Sequence, residues 1–395
     1  MNILQVIPFF VPAWSWGGPP KLAYNLSKEL IKRGHNVTVY TTDTLDEAER
    51  QKDKYLEMDG IKVFYFKNLS NSLAWNHRIF FSPSMIPQLR SEAKNFDVMH
   101  LQDYRGFINV MVHHYAKNYG VPYILQTNGG VIPVAQKQRL KRVFDKLFGY
   151  RILHDAARVV ALTETEVNEY LQMGVNQGKI VVTSPPYPID EFSQLPSPGH
   201  FRERFNIKEK HIILFLGRIA KIKGIDFLVR SFYQLNKHRG DVILAIVGPD
   251  GGYRSALELQ INNLGLSKKV LFTGFLGGAD KLSALVDASV LVQVSIYERG
   301  AGSPFEAILC NTPIIVTKGT GCGEQVAKFD AGYLVEYGNI NELKCMIEKV
   351  LDDPTEARDK MQRAKQYIIT NLSYAKVAEE YEQLYQSIIE QRGLA

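Results

Sequence analysis

The chain has 395 residues, 45% of them hydrophobic and 22% charged, with 30 Gly, 17 Pro and a formal net charge of +6. This is the usage of an ordinary folded protein and excludes a collagen-like repeat, a disulfide scaffold and an intrinsically disordered tail. Two domains of about 150–200 residues each are expected at this length, and no run approaches the roughly 18 apolar residues of a membrane-spanning helix.

The first apolar run, Ile3 to Phe9, has neither a basic flank nor a small-residue cleavage site. It reads as a buried first strand rather than a signal peptide, so a cytoplasmic protein is expected. A helical pattern from about Pro19 to Arg33 follows, then strand candidates at Val37 to Thr41, Val63 to Phe66, Val98 to Leu101, Tyr123 to Gln126, Val159 to Leu162 and Ile180 to Thr183. Strands that alternate with helices predict a parallel sheet with crossover connections, here one doubly wound domain over residues 1–190.

Within it, residues 137–151 concentrate positive charge. Residues 1–190 carry 22 basic and 17 acidic side chains against 25 and 24 in the remainder, and Lys137, Arg139, Lys141, Arg142, Lys146 and Arg151 face the single acid Asp145. Leu140, Val143, Phe144 and Leu147 fall between them at the spacing of one helix face. Two readings are open: a surface helix packed on its own domain, or contact with an anionic membrane surface or phosphate-bearing acceptor. No recognition motif accompanies the basic run, so nucleic acid is not expected as a partner.

Ser184 to Gly199 holds five prolines in sixteen residues, which removes backbone donors. An interdomain linker is placed at 191–207. The alternation then restarts at His211 to Leu216, Val242 to Val247, Val270 to Thr273, Val290 to Val294, Ile314 to Thr317 and Tyr333 to Val335, which predicts a second doubly wound domain over 208–373. A last amphipathic helix, within 374–395, either caps that domain or crosses back to the first, and the crossing is the expectation adopted. Cys310, Cys322 and Cys345 are odd in number and lack zinc-type spacing, as expected of reduced thiols.

Open parallel sheets bind ligands at the carboxyl ends of their strands, so two of them facing across a cleft would place the chemistry there. Gly17 and Gly18 follow the first strand and open a helix, a turn that suits a phosphate or merely a tight connection. Trp14 and Trp16 in that loop either stack on a sugar or close the loop. Arg218 and Lys223 follow the first strand of the second domain, where a fork and a point charge would clamp a diphosphate. Glu298 and Glu306 flank a glycine-rich stretch at a helix start. Both carboxylates accept hydrogen bonds from vicinal hydroxyls, and the N–H groups of Gly300, Ala301, Gly302 and Ser303 suit a phosphate.

Taken in order, the Gly17-Gly18 loop, Gly217-Arg218 with Lys223-Gly224, Val247-Gly248-Pro249-Asp250, Phe272-Thr273-Gly274 and the Glu298/Glu306 pair resemble the retaining GT-B glycosyltransferases of family 4, from residue 1 to about residue 385. The resemblance implies a nucleotide-diphosphate sugar, UDP- or GDP-linked, as donor substrate, with no cofactor and no metal. Arg218 and Lys223 would hold the diphosphate, Glu298 the sugar, Glu306 the ribose, and the backbone around Gly274 and Phe275 the nucleobase. A saccharide or lipid-linked acceptor is implied, in glycan or cell-envelope polysaccharide biosynthesis on the inner face of the membrane. The absence of any Asp-x-Asp agrees with metal independence. Many relatives carry a His-Gly pair where this chain reads Asn128-Gly129, and Arg299-Gly300-Ala301 departs from the usual Pro or Gly, Phe, Gly. Asn128 thus takes the histidine's position near the sugar, and His100 and Asp103 at another strand end are further polar candidates. A catalytically impaired nucleotide-sugar-binding partner of another transferase is the alternative to an active enzyme.

Overall fold

Val242 to Val247 is apolar and buried at all six positions, because a central strand of a parallel sheet is covered on both faces. The computed structural model describes residues 1–128, 130–133, 137–298, 300 and 302–393. The chain divides into two units, Met1–Pro186 with the C-terminal segment from Tyr374, and Tyr187–Ser373.

The first unit holds an eight-stranded sheet of β1 (Asn2–Val6), β2 (Asn36–Thr42), β3 (Tyr55–Met58), β4 (Ile61–Phe66), β5 (Val98–Gln102), β6 (Tyr123–Gln126), β7 (Arg158–Ala161) and β8 (Ile180–Val182). Their order is β3-β4-β2-β1-β5-β6-β7-β8. All neighbours are parallel except β3, which pairs antiparallel with β4 through the Asp59-Gly60 turn. This edge strand was not among the sequence candidates, since it is short and only half-buried; the Asp-Gly pair between it and β4 is a hairpin signal.

Alternation of side chains sets two buried faces. Leu4, Val6, Met99, Leu101 and Leu125 join one core cluster with helices Met85–Glu92 and Phe107–Tyr119. Ile3, Val39, Val98 and Ile124 join another with helix Gly18–Lys32 and helix Tyr374–Gly393. Glu382 anchors the C-terminal helix by accepting from Arg33 Nε at 2.6 Å and meeting His35 Nε2 at 2.8 Å.

In the second unit the strands β9 (His211–Leu216), β10 (Val242–Val247), β11 (Val270–Gly274), β12 (Val290–Gln293), β13 (Ile314–Thr317) and β14 (Tyr333–Val335) are all parallel, in the order β11-β10-β9-β12-β13-β14. The chain is α/β, with two Rossmann-like parallel-sheet domains.

Residues 191–207 do not form a free linker. They belong to the second unit, where Phe192, Phe201 and Ile207 are buried. Asp287 holds them in place: its carboxylate accepts from the N–H groups of Gly199 at 2.6 Å, Phe201 at 2.9 Å and Arg202 at 3.1 Å. Prolines remove donors but leave aromatic anchors free to pack, so their density was a poor guide here.

Residues 137–151 are not one α-helix either. Gln138–Phe144 is α-helical, Asp145–Gly149 forms a π-helical turn, and Tyr150–Asp155 resumes the α-helix. A buried ion pair sits at the start of that turn. Arg105 donates from Nε and Nη2 to the Asp145 carboxylate at 2.8 and 2.7 Å, and its Nη2 also reaches Val131 O at 2.7 Å. The expected apolar face is turned to solvent: Leu140, Val143 and Leu147 are 58, 54 and 56% exposed. Only Phe144 packs inward, edge-on to Phe107. Among the described residues no helix is long and apolar enough to cross a membrane.

Candidate active site

The order of each sheet reverses once, in the first unit between β1 and β5 and in the second between β9 and β12, and ligands of open α/β sheets bind beyond such points. In the second unit, the loops leaving β9 and β12 are joined there. The Ile296 N–H donates to Ile222 O at 2.8 Å. Gly224 has a left-handed φ of 64°, and a Cβ on it would stand 2.1 Å from Val294 O, so only glycine permits this approach.

That approach brings Lys223 onto Glu298 as an ion pair. The Glu298 Oε2 also accepts from Gln293 Nε2 at 2.9 Å and Ser295 Oγ at 3.3 Å, while its backbone carbonyl accepts from Gly321 N at 2.7 Å. One carboxylate is thus oriented from three sides yet keeps some access to solvent. Gln293 and Ser295 were not among the sequence candidates. Their signal was a polar side chain closing an otherwise apolar strand.

Arg218 is exposed, and among the described residues it has no hydrogen-bond or ion-pair partner. The turn that carries it is pinned to the neighbouring loop, with Ile219 N donating to Pro249 O and Gly251 N to Ile219 O, both at 2.9 Å. A Cβ on Gly248 would lie 2.0 Å from Gly217 O, so the loops after β9 and β10 meet backbone to backbone. Gly274 has a φ of 76° at the end of β11, and Phe275 beyond it is exposed. Glu306 lies within helix Gly302–Leu309 and pairs with Lys281 at 2.9 Å, a cation the sequence reading did not single out. Gly300 and Gly302 are exposed and Ser303 is half-buried. Ala301, Arg299 and Gly129 lie outside the described residues.

The first unit presents a different set. Gly17, with a φ of 90°, precedes helix Gly18–Lys32, which Pro19 and Pro20 start. Trp16 closes this loop: it is buried, stacks on Phe9 with centroids 4.8 Å apart, and lies under the Arg78 guanidinium. Trp14 is exposed. Asn128 follows β6 with a φ of 47°, and Asp103 follows β5 with a φ of 80°. Left-handed non-glycine residues are uncommon and collect at functional sites. Burial holds the Asp103 carboxyl above its usual range.

His100 is removed from the catalytic candidates. It is wholly buried, its Nδ1 lies 2.9 Å from the Tyr385 hydroxyl, and burial pushes its pKa down to about 3. An imidazole that stays neutral and faces a helix takes no proton from a substrate. Among the described residues no group of three His, Cys, Asp or Glu side chains is arranged to hold a metal ion.

Comparison with known proteins agrees with this architecture. Residues 16–191 match the Glycosyltransferase Family 4 domain and residues 199–367 the family Glycosyl transferases group 1. The chain is 23% identical over 394 residues to an uncharacterized glycosyltransferase of Methanocaldococcus jannaschii, covering 96% of this chain and 98% of the relative. It is 26% identical over 261 residues to the 2-deoxystreptamine glucosyltransferase of Streptomyces kanamyceticus, covering 64% and 67%. The crystal structure of Anabaena HepE in complex with UDP superposes with a TM-score of 0.78 at 19% identity, covering 98% of this chain and all of that one. The chain belongs to the family 4 glycosyltransferases of the GT-B fold, and it is a transferase enzyme.

Proposed function

We propose that this chain is a retaining, metal-independent transferase that moves a hexose from a UDP- or GDP-sugar to a saccharide or lipid-linked acceptor in glycan or cell-envelope polysaccharide synthesis. The carrying observation is the Lys223–Glu298 pair at the strand-order reversal of the second unit, with Arg218, which has no partner among the described residues, in the same loop after β9. A diphosphate would draw both cations, which then stabilise the charge that grows on the leaving phosphate. Released from Lys223, Glu298 accepts from sugar hydroxyls while Gln293 and Ser295 still orient it. Glu306 takes the ribose hydroxyls, the N–H groups of Gly300, Gly302 and Ser303 meet phosphate oxygens, and Gly274 with Phe275 frames the base.

In the retaining step the acceptor oxygen bonds to the anomeric carbon on the face from which the phosphate oxygen departs. The acceptor's proton passes to that leaving phosphate. Neutral, buried His100 and the amide of Asn128 supply no base, which supports the phosphate in that role. Names of relatives point the same way for donor and acceptor class: HepE is described with UDP-glucose, and a Mycolicibacterium smegmatis relative is a GDP-mannose-dependent phosphatidylinositol monomannoside mannosyltransferase.

The acceptor side has a surface to match. Exposed Leu140, Val143 and Leu147 alternate with Lys137, Arg139, Lys141, Arg142 and Lys146, the pattern of a segment lying in an anionic interface. This pattern supports a peripheral position on the inner face of the membrane.

Thermal-shift and calorimetric titration with UDP, GDP and ADP, with and without EDTA, tests the donor site. Stabilisation by one of UDP or GDP, insensitive to EDTA and lost in Arg218→Ala, is the expected result. No binding by any nucleotide would overturn the reading.

A further inference from the structure

Where the first unit's sheet meets the C-terminal helix, the packing turns polar. Gln5 stands beside His100 in register and Gln102 beside Gln126, all four buried on the face that Tyr374–Gly393 covers. Tyr381 and Tyr385 of that helix descend onto them. The Tyr385 hydroxyl meets His100 Nδ1 at 2.9 Å, the Tyr381 ring stacks on the His100 ring with centroids 5.4 Å apart, and the Tyr381 hydroxyl donates to Gln126 Oε1 at 2.6 Å. Burying amides where aliphatic side chains would pack costs desolvation, so such a layer points to a demand other than packing.

The hydrogen bonds run in one direction toward the strand end. Tyr381 is buried, which holds its phenol above the ordinary range and keeps it a donor. Because it occupies Gln126 Oε1, the amide nitrogen of Gln126 is turned the other way, and Gln126 Nε2 donates to Asn128 Oδ1 at 2.8 Å. Asn128 is half-buried at the end of β6 in a left-handed conformation, with its oxygen occupied. Its Nδ2 makes no hydrogen bond among the described residues. An amide has two faces of opposite character, and here the donating one is left over.

We propose that Tyr381 and Gln126 are positioning residues that orient the Asn128 amide so that it offers substrate a hydrogen-bond donor and not an acceptor. This rests on the transferase reading above, in which the matching ligand group is an oxygen of the transferring sugar or of the acceptor. The C-terminal helix then shapes the first unit's site from beneath, through a side chain that touches no substrate.

Steady-state kinetics of nucleotide release from UDP-glucose and GDP-mannose, on Tyr381→Phe, Gln126→Met, Asn128→Ala and the double variant Tyr381→Phe/Asn128→Ala, provide the test. Each single variant should lower kcat about tenfold, the effect of one hydrogen bond lost from a transition state. The double variant should be no slower than Asn128→Ala alone, since the two act on one interaction. A purely structural Tyr381 would instead multiply the losses, and that result overturns the proposal.

A second readout does not depend on turnover. In protein labelled with 15N-asparagine, the Asn128 side-chain amide resonances, assigned by their loss in Asn128→Ala, should move in Tyr381→Phe. Unmoved resonances overturn the positioning role. A wild-type protein that releases no nucleotide from either sugar while those resonances do move overturns the proposed donor class alone.

Discussion

Lys223 and Glu298, 75 residues apart in the chain, form an ion pair across the loops that leave β9 and β12. The pair exists because Gly224 lets one loop lie against the carbonyl of Val294 in the other. It stores a cation and a carboxylate in mutual contact, each with some solvent access, where a ligand carrying both phosphate and hydroxyl groups can exchange with both.

Replacing Lys223 by Ala should therefore cost catalysis far more than folding. A cation aimed at a leaving phosphate contributes about 100-fold or more, whereas a partly exposed pair contributes little to stability. The expected result is a fall of about 100-fold in kcat/KM for the sugar nucleotide with an almost unchanged urea midpoint. Loss of less than threefold would remove Lys223 from the site.

The Arg105–Asp145 pair behaves in the opposite way. Asp145 is buried, and Arg105 holds both its oxygens together with the Val131 carbonyl. Truncating one member leaves an uncompensated buried charge, so Arg105→Ala should destabilise by about 3–5 kcal/mol in urea unfolding. Arg105→Met with Asp145→Leu should recover much of that loss. A destabilisation below about 1 kcal/mol would show that the π-helical turn does not depend on the pair.

His100 predicts an acid limb. Its pKa is pushed down to about 3 in the fold by burial, against about 6.5 for a free imidazole. Between these values the unfolded chain binds a proton that the folded chain does not. Stability therefore rises with pH through this window, is fully present above about pH 6.5 and is lost as pH falls toward 3, at about 1.4 kcal/mol per pH unit at most. His100→Asn should flatten the slope of unfolding free energy against pH between 4 and 6 by about that amount. An unchanged slope would mean that the histidine titrates normally.

For the segment 137–151, co-sedimentation with vesicles separates charge from insertion. Binding to phosphatidylglycerol vesicles should fall with salt and with Lys141→Glu/Arg142→Glu. It should fall also with Leu140→Ser/Val143→Ser/Leu147→Ser, which leaves the charge intact. UDP and GDP binding should be unaffected in both variants. Equal sedimentation of wild type and variants would leave the exposed apolar residues without a lipid partner.

The alternation of buried strands and helices was legible because parallel strands covered on both faces must be continuously apolar, and all thirteen runs read from the sequence became strands, from Asn2–Val6 to Tyr333–Val335. The β9 motif, the Glu298/Glu306 spacing and the family were legible for a related reason: glycines and charges at strand ends are local in sequence. Contacts between distant segments were not legible. Only the folded chain puts Asp287 under the 199–202 turn, Gln293 and Ser295 on Glu298, and Tyr381 on Gln126. It also withdrew His100 behind Tyr385, and it turned Leu140, Val143 and Leu147 outward while Arg105, 40 residues away, holds Asp145 in the core. Periodicity states which residues share a face, but what lies opposite that face depends on side chains that only tertiary packing brings within reach.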